Sequence, residues 1–366
     1  MRPRDTLIRS NMGKRSKILL SIVLPVRNEP RLMDLCSALS EQDHKDLFQV
    51  IIVDESDPDY REITVKCYEE LQKSGVNAKL ILNAERHGVG FSMVQGLLNA
   101  EGDYVFFLDA DNKPDKSFIK RIVEEILIIG DQERTVALSF LAVSRYKREL
   151  SNILLLLPSL YLACILGGLK YDKKHGFVNI LRVFKREVLV NKVGAELDNF
   201  ALSYLDNPTI HKKLRAILAN NVTRHIDEVL VEDVRHVFED FSMKFLYVRM
   251  KWYTREELKL LRSRRLSLKE KLSLLTPILF YTALPLVTLL MTSWILTLFI
   301  IDPFYACIVF SSLLVCYLVL FIFLSWYKRI GLTKETLLAI AALPLLLLVK
   351  SMVTCVALMN IAKEKL

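Results

Sequence analysis

The sequence has no Cys-x-x-Cys pair. Its cysteines, Cys36, Cys67, Cys164, Cys307, Cys316 and Cys355, are scattered, and the last three fall in long apolar runs. That argues against both a zinc ribbon and a disulfide framework. The basic start, MRPRDTLIRSNMGKRSK, is followed by no signal-peptide core. Residues 1–17 read as a basic tail, either lying near anionic lipid or disordered. No internal repeat and no low-complexity linker is found. The fingerprint G-x-G-x-x-G does not follow the first strand. Gly88 and Gly90 come after the third, with Met93 in the last glycine's place, which argues against a dinucleotide site.

Charge is missing from three C-terminal stretches. Leu272–Ile301 and Pro303–Tyr327 hold no Asp, Glu, Lys or Arg, and Thr336–Ala362 holds only Lys350. A span needs about 20 apolar residues. The runs therefore predict three transmembrane helices, about 273–301, 303–327 and 336–361, within residues 272–366. A charge in mid-span costs about 2.5 kcal/mol or more, so Lys350 either pairs with a lipid phosphate or snorkels. Residues 244–271 carry ten Lys/Arg against three Glu and form a basic juxtamembrane segment. The connection KRIGLTKE is basic as well. The positive-inside rule then puts residues 1–271 in the cytoplasm and the tail AKEKL outside. The net charge of +9 is densest beside these spans. It points to lipid headgroups or an anionic lipid substrate, with no nucleic-acid partner.

Ahead of the spans, strand and helix patterns alternate. Buried strand runs occupy 18–26, 48–56, 78–83 and 104–111, with helical spacing over 30–42, 60–75 and 90–102. This order predicts an α/β fold, a mainly parallel sheet with helices on both faces. Ligands on such sheets bind beyond the carboxyl ends of the strands. Here those ends read PVRNE (25–29), DES (54–56), NAERHGVG (83–90) and DAD (109–111). The strand YVFF thus runs straight into Asp109 and Asp111. Hard divalent cations such as Mg²⁺ or Mn²⁺ take carboxylate oxygens and share phosphates. Two carboxylates arriving with three other polar strand ends therefore suggest a metal holding a nucleoside diphosphate. Arg86 offers a planar, permanently charged fork for phosphate. Asp54 offers an acceptor-only carboxylate for N–H or ribose O–H groups.

These residues resemble the inverting family 2 glycosyltransferases with a GT-A fold. SIVLPVRNEP is similar to their first strand and loop, VIIVDES to their second strand, and ERHGVGFSMVQGLLNAEGDYVFFLDADNKPD to their donor core and metal motif. The match is close over 18–115 and looser through HGFVNILRVFKREVL (175–189). The resemblance implies a GT-A-like catalytic domain over 18–243. It implies that Pro25, Val26, Asn28, Glu29, Asp54 and Arg86 frame the nucleotide. Asp109 would sit near ribose and metal, Asp111 would ligate the metal, and the donor would be a UDP- or GDP-sugar.

Two branches of that family differ in the acceptor. One makes polyprenyl-phosphate sugars, as in dolichyl-phosphate mannose synthase. SRYKRELS (144–151), with Arg145 and Arg148, resembles its acceptor loop, and 153–169 suits its interfacial helix. That branch commonly carries Gln where this chain has Lys113. The other branch attacks with a sugar hydroxyl and needs a general base. GAELDNFAL (194–202) resembles its acidic motif, with Glu196 or Asp198 as the base. FLYVRMKWYTREEL (245–258) resembles its basic-tryptophan motif. Trp252 then stacks on the acceptor sugar or sits at the membrane interface. Arg249, Lys251 and Arg255 hold diphosphate or form a solvated basic face. His236 either completes the metal site or is structural. The expectation is a membrane-anchored, metal-dependent, inverting transferase acting on a polyprenyl (dolichol-type) lipid-linked glycan hydroxyl. A phosphate acceptor is the alternative. A scaffold or transporter subunit with a dead domain is the reading from another class, and the intact Asp109 and Asp111 argue against it.

Overall fold

The computed structural model describes residues 18–129, 135–144, 150, 152–166, 170–172, 176–192, 222–233, scattered positions between 247 and 291, and 293–363. The chain divides into two compact units. One comprises residues 1–145 and 180–235, the other 146–179 and 236–366.

In the first unit, β1 (Leu20–Val26), β2 (Phe48–Asp54), β3 (Asn77–Leu82) and β4 (Tyr104–Phe107) alternate with α1 (Leu32–Ser40), α2 (Pro58–Lys73) and α3 (Val89–Leu98). There follow β5 (Asn112–Pro114), α4 (Phe118–Ile129), β6 (Thr135–Ser144), β8 (Gly176–Lys185) from residue 180 on, and β9 (Val222–Asp233), while β7 (Lys170–Asp172) and the first residues of β8 fall in the second unit. The sheet runs β3-β2-β1-β4-β8-β6-β9-β5, with β7 paired to β8. β1 is parallel to both β2 and β4, and β2 to β3. β8 joins β4 antiparallel, so the half of the sheet read from sequence is parallel and the later half is mixed.

Strand alternation sorts the core into two faces. Leu20, Ile22, Leu24 and Val26 of β1, with Val50 and Ile52 of β2, pack against α1, α2 and α4. Val23, Ile51, Val53 and Val105 face Leu97 of α3 on the other side. Helices therefore lie on both faces, as the element order predicts. Two glycines permit the tightest approaches. A Cβ on Gly96 would meet Val23 Cγ1 at 2.2 Å, and one on Gly102 would meet the Ser21 backbone nitrogen at 2.7 Å. Under β4, the rings of Phe106, Phe118 and Phe140 pack with centroids 5.2–5.6 Å apart. This joins β4, α4 and β6 and gives the Asp109–Asp111 turn a rigid base.

In the second unit, α5 (Leu157–Leu166) packs on α7 (Lys334–Lys363) through Leu157, Leu160, Tyr161, Leu343 and Leu346. Tyr161 Oη donates to the Phe321 carbonyl of α6 (Pro303–Tyr327) at 3.1 Å. The described part of the 153–169 segment, through Ile165, thus packs among the apolar helices. Asp302 caps α6, its Oδ1 accepting from Tyr305 N at 3.0 Å, and Pro303 opens the helix where no N–H is needed. Asn360 Nδ2 donates to Tyr247 Oη at 2.7 Å, which ties the start of the basic segment to the last turns of α7.

α6 and α7 are long and apolar enough to cross a membrane. α6 has a mean hydropathy of 2.8 over its best window, none of it buried within the protein. A soluble core helix with that composition would be covered on at least one face. Of the first expected span, 293–301 is helical, and most of the rest lies outside the described residues.

Candidate functional site

The carboxyl ends of β1, β2 and β3 are tied into one rim by the three residues Asp54, Glu55 and Ser56. Asp54 has no exposed surface. Its backbone carbonyl accepts from Asn83 N at 2.9 Å, and its Oδ1 accepts from Ser56 N at 2.8 Å. Its Oδ2 is buried and has no hydrogen-bond partner among the described residues. A buried carboxylate oxygen left unsatisfied costs about 1–3 kcal/mol or more, and native proteins rarely tolerate one without a use.

Glu55 also turns inward. Its Oε2 accepts from Gly88 N at 2.7 Å and His87 N at 3.2 Å, while its Oε1 accepts from Ser92 Oγ at 2.8 Å. Gly88 has φ of 102° and supplies no side-chain cap to α3, and Glu55 instead holds the two residues that lead into the helix, His87 and Gly88. Ser56 Oγ accepts from Asn28 N at 2.9 Å. Arg61 reaches across, donating through Nε to the Ser56 carbonyl at 3.1 Å and through Nη2 to the Asn83 carbonyl at 2.6 Å.

The residues expected to frame the nucleotide are placed as follows. Pro25 and Val26 end β1 in register with Val53 and Asp54. Asn28 adopts the left-handed region with φ of 49°, which asparagine tolerates better than most residues. Its side chain is engaged on both atoms: Nδ2 donates to Asp57 Oδ2 at 2.6 Å, and Oδ1 accepts from Asp57 N at 2.8 Å. Glu29 is held by Arg31, with Nε–Oε1 at 2.9 Å. Both side chains thus build the loop. Arg86 is exposed on the segment between Asn83 and Gly88. Arg27 shares this rim: burial, and then the Arg86 guanidinium, push it below its ordinary pKa, while Asp57 and Glu55 oppose that. Two like charges close enough to repel favour an anion near them.

Asp109 is exposed, whereas Asp111 is 95% covered, at 5% exposure. The Asp109 carbonyl accepts from Asn112 N at 3.0 Å, closing the turn that carries both carboxylates. The chain then enters β5, where Asn112 and Pro114 are buried and Lys113 between them is exposed. Alternation along the strand turns Lys113 away from the face of Asn112. β5 pairs with β9 in a register that sets Asn112 opposite Asp233 and Lys113 opposite Glu232. The end of β9 therefore lies beside the Asp109–Asp111 turn, three positions before His236 in the chain. Beyond β5, Gln42 locks the exit loop: Nε2 donates to the Asp115 carbonyl at 2.8 Å and Oε1 accepts from Ile119 N at 3.0 Å.

Among the described residues, no group of three or more His, Cys, Asp or Glu is placed to hold a metal. Asp109 and Asp111 form a two-carboxylate, oxygen-only donor set. That suits a hard divalent ion whose other positions are filled by phosphate and water. Glu196, Asp198, Arg145, Arg148, His236, Arg249, Trp252 and Arg255 lie outside the described residues. Lys251 is helical and half-buried, in the second unit. Sequence reasoning missed Glu55 and Arg27. The signal for Glu55 was a glycine-capped helix with no acidic cap of its own, and for Arg27 its place between Val26 and Asn28 on the first strand's end.

A parallel α/β sheet with buried carboxylates and a cationic pair at its strand ends defines a binding domain for anionic nucleotides. Residues 21–149 match the family model Glycosyl transferase family 2, and the α/β sheet of that region is the one expected of a GT-A fold. It is 30% identical over 119 residues to the amylovoran biosynthesis glycosyltransferase AmsB of Erwinia amylovora, covering 31% of this chain and 39% of that protein. This chain therefore spans about two fifths of that relative's length. Solved structures with similarity include mannosyltransferase PcManGT of Pyrobaculum calidifontis in complex with GDP-Man and Mn2+, at 14% identity, 93% and 96% coverage and a TM-score of 0.44. S. aureus TarS 1-349 in complex with UDP-GlcNAc matches at 18% identity, 70% coverage of each chain and a TM-score of 0.39. At these scores neither structure carries an argument about this chain.

Proposed function

We propose that the protein is a membrane-anchored, inverting glycosyltransferase that takes a sugar from a UDP- or GDP-sugar. The observation that carries the donor reading is Asp54 Oδ2, a buried acceptor with no partner among the described residues, at the carboxyl end of β2 in the region that matches the family 2 model. An N–H of a nucleobase or a ribose hydroxyl would satisfy it. Arg86 and Arg27 would receive the diphosphate. Asp109 and Asp111 would hold Mg²⁺ or Mn²⁺, which when bound neutralises charge on the departing diphosphate. His236 follows β9, whose end is paired beside this turn, and is the residue we assign as a third ligand.

The acceptor is a polyprenyl-linked glycan, delivered from the bilayer that α6 and α7 enter. The catalytic unit lies on the cytoplasmic face, by the basic residues of 244–271 and KRIGLTKE. The attacking group is a sugar hydroxyl, with Glu196 or Asp198 as base and Arg249, Lys251, Trp252 and Arg255 on the acceptor side. The second reading, a polyprenyl-phosphate acceptor met by Arg145 and Arg148, rests on the apolar helix α5 lying next to that loop in the chain. Membranes containing the protein, given labelled nucleotide sugars, separate the two. Labelled lipid formed from plain polyprenyl phosphate supports the second reading. Label appearing only when a lipid-linked glycan is supplied supports the first. No label with any donor overturns the proposal.

A further inference from the structure

We propose that Glu55 is a positioning residue for the donor, fixing the segment that carries Arg86; this rests on the donor reading above. Residues 84–87 are all exposed, and the ring contact recorded for them among the described residues is His87 on Phe91 of α3, with centroids 4.4 Å apart. Their conformation depends on the two ends. At the first end, Asn83 N donates to the Asp54 carbonyl, Asn83 O accepts from Arg61, and Asn83 Nδ2 donates to Gln95 Oε1 at 2.9 Å. At the other end, Glu55 alone accepts from the backbone of both His87 and Gly88. The side chain next to the Asp54 acceptor thus holds the far end of the loop that presents Arg86. Base recognition and phosphate recognition are coupled through adjacent residues of one strand end.

The role requires hydrogen-bond acceptors and no charge. In Glu55→Gln the amide oxygen can take both backbone N–H groups, and the amide NH₂ can donate to Ser92 Oγ. Glu55→Ala removes all three bonds. The test uses the full chain in detergent with UDP and GDP as probes, together with hydrogen exchange of the 84–91 backbone. The Ala variant is expected to bind nucleotide about tenfold more weakly or worse, with fast exchange at His87 and Gly88. The Gln variant stays within about threefold of wild type and keeps those amides protected. In the transfer assay, the Ala variant raises the donor KM with kcat at saturation little changed. A Gln variant as weak as Ala would overturn the proposal, because charge would then be the requirement. Wild-type affinity in the Ala variant overturns it as well. If the Ala variant does not accumulate, Ser92→Ala, which removes one bond, replaces it. Unchanged affinity and unchanged exchange in Ser92→Ala, together with a Gln variant that loses binding, refute the role. A wild-type chain that binds neither nucleotide removes the donor reading itself, and is told apart from these outcomes by that control.

Discussion

Asp54→Asn separates recognition from stability. The replacement is isosteric. Oδ1 can go on accepting from Ser56 N, at 2.8 Å in the native protein, while the buried Oδ2 becomes an amide NH₂. If Oδ2 accepts from the donor nucleotide, the variant replaces a charged acceptor by a donor facing a donor. A hydrogen bond to a charged group contributes about 1.5–3 kcal/mol, which is roughly 10- to 150-fold in affinity. The apo protein moves the other way or stays level. Asp54 has no exposed surface, and an uncompensated buried carboxylate costs folding free energy that a neutral amide does not. The assay is calorimetric titration of the purified full chain with UDP and GDP, paired with a thermal melt of the apo form. The account predicts at least a tenfold loss of affinity for the nucleotide that wild type binds, without a fall in Tm. Equal affinity in the two proteins would refute the assignment of Oδ2. A large fall in Tm with lost binding would show that Asp54 is a structural residue.

Other perturbations probe the frame around it. Gly102→Ala forces a Cβ to within 2.7 Å of the Ser21 backbone nitrogen, so overpacking of about 1–3 kcal/mol should appear in denaturant unfolding. Gln42→Leu strips partners from the Asp115 carbonyl and Ile119 N. It should cost about 1–3 kcal/mol and weaken metal-dependent activity more than nucleotide binding, measured by melts and by the metal concentration giving half-maximal rate. Leu318→Arg places a charge mid-way along α6, where insertion is penalised by about 2.5–3.5 kcal/mol. The fraction of protein resisting alkaline extraction from membranes should fall.

The first half of the sheet was legible because its strands are apolar runs ending at turn residues, and each polar end is a separate cue. β1, β2 and β4 fall within the expected segments, two or more residues shorter at one end, and β3 lies one residue earlier than expected, at Asn77–Leu82. β9 was not legible. In RHIDEVLVED the charges interrupt the apolar alternation, and its partners lie far earlier in the chain, β6 by roughly ninety residues and β5 by roughly 120. β5 contains Pro114 and is followed by Asp115, which reads locally as a turn. Its strand character comes from β9 alone.

At the site, sequence found the residues whose chemistry is unusual in a buried strand end, Asp54 and Asp111. It did not separate ligand-facing groups from loop-building ones. Asn28 and Glu29 are polar residues at a strand end like the others, yet their partners, Asp57 and Arg31, are fixed by backbone geometry that periodicity does not encode. Glu55 shows the reverse case. Its use depends on Gly88 arriving from another strand end, a tertiary coincidence.

The central claim is a metal-dependent sugar transfer at the Asp109–Asp111 turn. The most direct measurement is the rate of labelled sugar transfer from UDP- and GDP-sugars to lipid-linked acceptors by the full chain in lipid nanodiscs. It is run with and without Mg²⁺ or Mn²⁺, for wild type and Asp111→Ala. The account predicts transfer by wild type with inversion at the anomeric carbon, lost on chelation and restored by metal, and absent in Asp111→Ala at any metal concentration. Full-rate transfer by Asp111→Ala in the presence of chelator would contradict it.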